Sequence, residues 1–507
     1  MLRIILTLFL SCFCTLSVFA RQENRVDFLS NLQQADALKN AQVSFYAKYI
    51  GGEEILAKNE GTLFVPASVL KLYTTAAALE LLGADKTFDT KVYFDGKRKG
   101  SVLQGDIYLL GGGDPSFGSR DFDNKPYYTD IFSSWAEILK KQGIKKISGN
   151  IYVDNTIFSG ILLPWRTSYK NIGSYYAPKA DALSIASNQY TLIFPPTKAG
   201  DRHIAPISVE PLVRRLIFRS GVYASEKISS EQVYVTFEPA TNIVNLTGAL
   251  PVTMEKTKVF ASLPNPAQFA AESFWEFLRY AGIKVTGNVR QKRGENYNQK
   301  ELLFVHTSPS LAELVKHTNK VSDNLYAEVL LRDISAYTEG NGSAKDGLIK
   351  IREALVSFGL GEDDFDIYGA SGLDYTTNVS CRATVTLLEN ILKKPYAQVF
   401  KDSLVIAGGE GEKGTFGKRV AKKEFAAKTL LKTGSLDKAR NVAGYTKDKD
   451  GKDIAFCFFI NNFKTKNRQI IALQDSFLEY LATYTQQAKT AAPKAKTKAK
   501  RRTAARK

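Results

Sequence analysis

Ser68 and Lys71 stand three residues apart in Pro66-Ala67-Ser68-Val69-Leu70-Lys71, at the head of an apolar segment that ends at Leu82-Gly83. On a helix, residues at this spacing share a face, so an amine can reach the hydroxyl it must deprotonate. A serine hydroxyl is a poor nucleophile until a base takes its proton, and histidine is the usual partner. This chain has only His203, His306 and His317, none in a recognisable triad motif, and Gly369-Ala370-Ser371-Gly372-Leu373 falls one glycine short of a nucleophile elbow. Lysine is then the base. To be neutral at working pH it needs a downward shift of about 3 units, roughly 4 kcal/mol of environment. Burial on an apolar helix and a second cation are the two available causes, and Lys432 is the candidate cation.

The spacing alone carries little, because Ser435 and Lys438 repeat it after a glycine and with no apolar helix behind them. The first copy differs in its company: Ser322-Asp323-Asn324 and Lys432-Thr433-Gly434 follow it in chain order. Ser322 suits a proton relay between Lys71 and a leaving amine. Asn324 carries both a donor and an acceptor, one for Lys71 and one for a substrate amide. Lys432 and Thr433 on a strand offer a cation and a hydroxyl to a terminal carboxylate. Gly434 lets a substrate backbone approach closely, and the backbone N–H groups of Ser68 and Ser435 are placed to hold a tetrahedral oxyanion. Taken singly, a serine at a helix start is a cap and a Lys-Thr-Gly is a turn. Together they specify acyl transfer through an acyl-enzyme on a substrate with a free carboxylate.

Several elements must bring these segments together. With 507 residues, 44% of them hydrophobic, the chain is long enough for two or three cores. Val26 to Lys39 has helical spacing through Phe28, Leu32 and Ala35, and Ala41–Ile50 with Glu54–Lys58 flank Gly51-Gly52 as a hairpin. Ser68 and Ser322 are 254 positions apart, far more than a connection within one domain requires. Turn signals at Asp95-Gly96, Gly111 to Pro115 and Ser148 to Asn150 mark that stretch as an inserted β-rich module of one or two domains, residues 91–293. The parent domain is then discontinuous, residues 21–90 and 294–485. From Leu311 the pattern turns helical. Ala427–Gly434, Asn441–Tyr445 and Ile454–Ile460 read as strands, the last two joined at Asp450-Gly451, and Gln469–Tyr484 reads as a closing helix. The class is α+β, an antiparallel sheet flanked by helices.

The ends read as addresses. Met1-Leu2-Arg3, the apolar run Ile4–Phe19 and the small residue Ala20 form a secretory signal over residues 1–20, the alternative being an uncleaved anchor. Export makes the envelope or periplasm the expected location. Nine Lys and Arg residues and no acid lie between Lys489 and Lys507, half of the net charge of +18. Residues 486–507 therefore read as a disordered basic tail that touches an anionic membrane or wall surface, or simply stays solvated, with no specific nucleic acid as partner. Cys12 and Cys14 leave with the signal. Cys381 and Cys457 read as buried inert thiols in preference to a disulfide.

With these motifs the chain resembles the class C low-molecular-mass penicillin-binding proteins, the D-alanyl-D-alanine carboxypeptidase/endopeptidase family, whose signature is SxxK, SDN and KTG. Leu110 to Ser116, Tyr176-Ala177-Pro178, Ala182-Leu183-Ser184 and Ala370 to Leu373 resemble further segments of that family. The long insertion is a family trait and sets the chain apart from class A β-lactamases. The resemblance implies a penicillin-recognising, transpeptidase-like domain, inhibition by β-lactams, and removal of terminal D-alanine or cleavage of cross-links in peptidoglycan stem peptides. It implies no metal and no organic cofactor. Catalytic roles fall on Ser68, Lys71, Ser322, Asn324 and Lys432, and substrate binding on Thr433, Gly434 and Ser435. Relatives place an aspartate and an arginine against the charged centre of the diaminopimelyl side chain, where this chain has Asn171 and Tyr375, two neutral substrate-binding positions. A β-lactamase, or a wall-binding scaffold of the same fold, is the competing reading.

Overall fold

The computed structural model describes residue 32 and residues 38–164, 168–238, 241–292, 294–409, 416 and 420–485. The secretory segment, most of the Val26–Lys39 helix and the basic tail lie outside the described residues. The catalytic half is organised by a six-stranded sheet in the order Val405–Ile406, Leu430–Leu436, Ala439–Lys447, Asp453–Asn461, Gln42–Tyr49, Glu54–Lys58. Every neighbouring pair is antiparallel. The hairpins read from Gly51-Gly52 and Asp450-Gly451 both form. The antiparallel sheet with flanking helices is the α+β architecture expected from the sequence.

Asp453–Asn461 shows why the central strand is apolar throughout. Successive strand residues point to opposite faces. Ala455, Cys457 and Phe459 pack into a core with the helices Leu70–Leu82, Asn324–Thr338 and Cys381–Ile391. Ile454, Phe456, Phe458 and Ile460 pack on the other side with Phe477, Leu478 and Leu481 of the closing helix Asn467–Thr483. A strand covered on both faces has no polar alternation to show. Cys381 and Cys457 are both free and buried.

The helix Leu70–Leu82 is buried all round from Leu70 to Leu79, Lys71 included, and ends at Gly83, whose N–H donates to Leu79 O at 3.1 Å. Such a helix has no polar stripe to give it away and is held by packing on every side. A short 3₁₀ turn, Ala67–Val69, leads into it. On the facing side, Leu311–His317 runs into a π-turn over Thr318–Ser322, and Asp323 then caps Asn324–Thr338 by accepting from Tyr326 N at 3.2 Å. Ala67 (φ +49°) and Ser322 (φ +64°) are left-handed non-glycine residues immediately beside these helix starts. Such conformations cost about 1–3 kcal/mol and persist only where surrounding structure fixes them.

The intervening residues build a separate core from strands and two helices, Tyr128–Lys141 and Pro266–Tyr280. Its largest sheet is centred on Asp89–Lys99 and Val102–Leu110 and takes in Glu301–Thr307, which pairs with Asp89–Lys99 beyond residue 293. The loop Gly111–Asp114 presses this half against the helix Asn324–Thr338. A Cβ on Gly113 would lie 1.9 Å from Asp333 Oδ1. Asp333 is fully buried, neither carboxyl oxygen has a hydrogen-bond partner among the described residues, and burial with the charge of Asp114 pushes its carboxyl well above the usual range. A raised folded value means that the unfolded chain releases the proton first, so this residue costs stability as pH climbs above about 4. Asp333→Asn is therefore expected to gain stability over the parent at pH 8, by about 1–3 kcal/mol, and less at pH 5. Urea unfolding at the two pH values checks this, and a gain that does not depend on pH would refute a buried neutral carboxyl.

Candidate active site

The elements above converge on one cleft of about 500 Å³ lined by Ser68, Ser322, Asn324, Thr433 and Ser435. Asn171 and Tyr375 line the same cleft from the intervening half and from the loop after Ser371. Segments separated by hundreds of positions thus share one wall. Ser435 and Lys438, the second copy of the spacing, fall at the end of a strand and in the turn after it.

Lys71 Nζ lies 3.1 Å from Ser68 Oγ, 2.6 Å from Asn324 Oδ1 and 2.6 Å from the carbonyl oxygen of Ser371. Its side chain is wholly buried, and that desolvation pulls the amine down to about 7 against the opposing charges of Asp323 and Glu328. Burial is therefore the cause of the shift. The expectation that Lys432 supplies a depressing charge runs the other way: burial first, and then the charge of Lys71, hold the Lys432 amine well below its usual range. A like charge nearby disfavours the charged form of a buried amine.

Lys432 is 2% exposed and donates to Ser322 Oγ at 2.8 Å and to Thr433 O at 2.9 Å. It stands behind Ser322 and does not face the cleft, in contrast to the sequence reading; Thr433 does face it. Gly434 is the contact point between the strand Leu430–Leu436 and the turn that carries Ser68, since a Cβ there would meet Pro66 O at 2.4 Å and Ser68 N at 3.1 Å. The glycine is needed first for this packing of strand against turn.

Asn324 has one contact beyond those expected. Its Oδ1 accepts from Lys71, and its Nδ2 donates one of its two N–H groups to the carbonyl of Tyr176 at 2.7 Å, so the amide is oriented by the intervening half of the chain and keeps one donor for a substrate. Tyr176 OH in turn donates to Asn171 Oδ1 at 3.1 Å. Asn171, Tyr176, Asn324 and Lys71 form one chain of contacts across the seam between the two halves.

Three participants were not singled out from the sequence. Ser371 accepts from Lys71 through its carbonyl, and Glu328 fixes Ser371 by accepting from its N–H at 3.0 Å, its hydroxyl at 2.6 Å and the N–H of Ala370 at 3.3 Å. Burial raises the Glu328 carboxyl. Tyr176 is the third. The motif Ala370 to Leu373 was visible in the sequence, and so was Tyr176-Ala177-Pro178, but both act through main-chain carbonyls that no residue type announces. Among the described residues, no helix is long and apolar enough to cross a membrane.

The model of the D-Ala-D-Ala carboxypeptidase 3 (S13) family matches residues 25–481. The chain is 28% identical over 451 residues to a D-alanyl-D-alanine carboxypeptidase of an Actinomadura strain, covering 85% of this chain and 79% of that protein. It is 27% identical over 432 residues to the D-alanyl-D-alanine carboxypeptidase DacB of Haemophilus influenzae, covering 84% and 87%. The crystal structure of penicillin binding protein 4 (dacB) from Haemophilus influenzae superposes with a TM-score of 0.76 at 24% identity, covering 89% of this chain and 99% of that one, and so has the same fold. With a family match that runs from the first predicted helix to the closing helix and takes in all three motifs, the chain belongs to the D-Ala-D-Ala carboxypeptidase 3 (S13) family.

Proposed function

We propose that this protein is a serine-type D-Ala-D-Ala carboxypeptidase in which Ser68 is the nucleophile and Lys71 its general base. The observation that carries the reading is a buried Lys71 Nζ 3.1 Å from Ser68 Oγ with its amine lowered to about 7. The neutral amine takes the Ser68 proton as Oγ attacks the carbonyl of the penultimate D-alanine. The oxyanion forms beside the N–H groups of Ser68 and Ser435, whose fixed dipoles require no reorganisation. Ser322, in contact with Lys432, passes a proton to the departing amine, and the terminal D-alanine leaves with its carboxylate near Thr433. The arriving carboxylate favours the charged form of Lys432 behind Ser322, a proton source created by binding itself. Water then hydrolyses the acyl-enzyme by the reverse relay.

A β-lactam carries an activated amide and a carboxylate in the same relation, and acylates Ser68 by the same steps. A related fold, that of penicillin binding protein 4 from Haemophilus influenzae, has been determined in complex with a novel β-lactam. Peptidoglycan stem peptides are the substrate class, residues 91–293 supply one wall of the cleft, and the protein works in the cell envelope after export. Asn171 and Tyr375 receive the side chain of the third stem residue as neutral partners. The basic tail adds attraction to an anionic surface.

Incubation with a fluorescent penicillin, followed by peptide mapping, tests the reading. Stable label on the peptide containing Ser68, together with D-alanine release from a stem pentapeptide, is the expected result. Rapid loss of label would make the chain a β-lactamase, and absence of label a scaffold. Mass spectrometry of digested cross-linked muropeptides reads any endopeptidase action.

A further inference from the structure

The cleft continues outward as a row of open aromatic rings that the acyl-transfer steps do not use. Tyr175 and Tyr176 meet edge to face with centroids 5.4 Å apart, and Phe260 follows Tyr175 at 6.3 Å. Tyr175 is 49% exposed and Phe260 52%. Tyr175 lines the cleft of Ser68, whereas Phe260 lies outside it, so the rings form a ledge leading away from the nucleophile. Exposed aromatic rings that run on from a cleft offer apolar surface to a ligand that extends beyond it.

The ledge is rigid. Ser174 bridges Ala261, Ser262 N donates to Gly173 O at 2.9 Å, and a Cβ on Gly173 (φ +104°) would meet Val235 O at 2.6 Å, which wedges the loop between two strands. These contacts also limit what can bind. Phe260 sits on Thr257–Ser262, the outer strand of a three-stranded sheet, and an open outer strand invites a peptide to add by main-chain pairing. Here Gly173 and Ser174 already occupy that edge at Ala261 and Ser262. What the ledge presents is ring surface, with Lys258 exposed two residues from Phe260 on the same face of the strand. Exposed ring surface with a lysine beside it suits a pyranose ring, whose axial hydrogens pack on aromatics while its hydroxyl and amide groups stay solvated.

We propose that Tyr175 and Phe260 bind a sugar ring of the peptidoglycan glycan, so that the enzyme prefers stem peptides still attached to their saccharide. The proposal rests on the peptidoglycan reading above and involves no covalent step.

The test uses the full chain carrying Ser68→Ala and two probes: the disaccharide-pentapeptide unit of peptidoglycan and the same pentapeptide without sugar. Calorimetry is expected to give about tenfold tighter binding of the sugar-bearing probe. Adding Phe260→Ala removes that tenfold advantage and leaves the pentapeptide affinity within twofold, while Phe260→Trp retains the advantage. Equal binding of both probes to Ser68→Ala overturns the proposal, and so does a Phe260→Ala effect of equal size on both, which would make a peptide the occupant. With Ser68 present, penicillin labelling of Phe260→Ala at the parental rate verifies its fold. Failure of the peptidoglycan peptidase reading looks different: the parent chain neither takes up penicillin nor releases D-alanine, while the two probes still report on the ledge.

Discussion

Lys71→Met is expected to lower the second-order rate of acylation by penicillin about 100- to 10,000-fold, the range that general-base assistance supplies, while the protein remains folded. Methionine keeps the length and the apolar stem of the lysine and removes only the amine that touches Ser68 Oγ and Asn324 Oδ1. The pH dependence follows from the same group. In the parent the amine is lowered to about 7 by burial, so acylation should rise tenfold per pH unit below 7 and level off above it as the free base accumulates. The residual activity of Lys71→Met should lose that limb. Stability also rises with pH, in the window above about 7. The unfolded lysine holds its proton up to about pH 10, the folded one only up to about 7, so the unfolded state binds more protons across this window and the parent gains stability as pH rises through it. Lys71→Met abolishes that slope and is more stable than the parent at pH 7. Stopped-flow labelling and denaturant titration read the two effects. Acylation within tenfold of the parent would remove Lys71 from the base role.

Gly434→Ala is the second large effect, and it comes from space and not from charge. The new methyl would lie 2.4 Å from Pro66 O, 3.0 Å from Val69 N and 3.1 Å from Ser68 N, all backbone atoms that cannot swing aside. The strand must retreat from the turn that carries the nucleophile, and displacement of about 1 Å between reacting groups is worth about 100-fold in rate. Acylation should fall by about that factor, with a stability loss of about 1–3 kcal/mol from overpacking. Should the variant acylate within threefold of the parent, the turn and strand are not held in register as described.

The side-chain chemistry of the cleft was legible because it is written in residue types: a hydroxyl, two amines and an amide at spacings that suit helix starts and a strand. The antiparallel sheet was legible for a similar reason, through Gly51-Gly52 and Asp450-Gly451 between apolar runs. What escaped acts through the main chain or through distance. The carbonyls of Ser371 and Tyr176 have no signature, because every residue possesses one. The withdrawal of Lys432 behind Ser322 and the orientation of the Asn324 amide by Tyr176 depend on how the two halves meet, which local patterns do not encode. Glu328 lies within an apolar run as the one acid, and a buried acid beside a serine-lysine pair was a usable signal left unread. The two helices Tyr128–Lys141 and Pro266–Tyr280 were hidden by the strand-like character of their surroundings.

The order of the six-stranded sheet has a consequence for when this protein becomes an enzyme. Gln42–Tyr49, near the beginning, lies between Glu54–Lys58 and Asp453–Asn461, near the end. A growing chain therefore contains its serine and lysine long before the strand that anchors their platform exists, and closing a loop of that length is entropically costly and slow. The intervening half, with a core of its own, has most of its residues in hand earlier. Hydrolytic competence is acquired last, after the final strands have arrived, so that an immature chain does not present an assembled cleft.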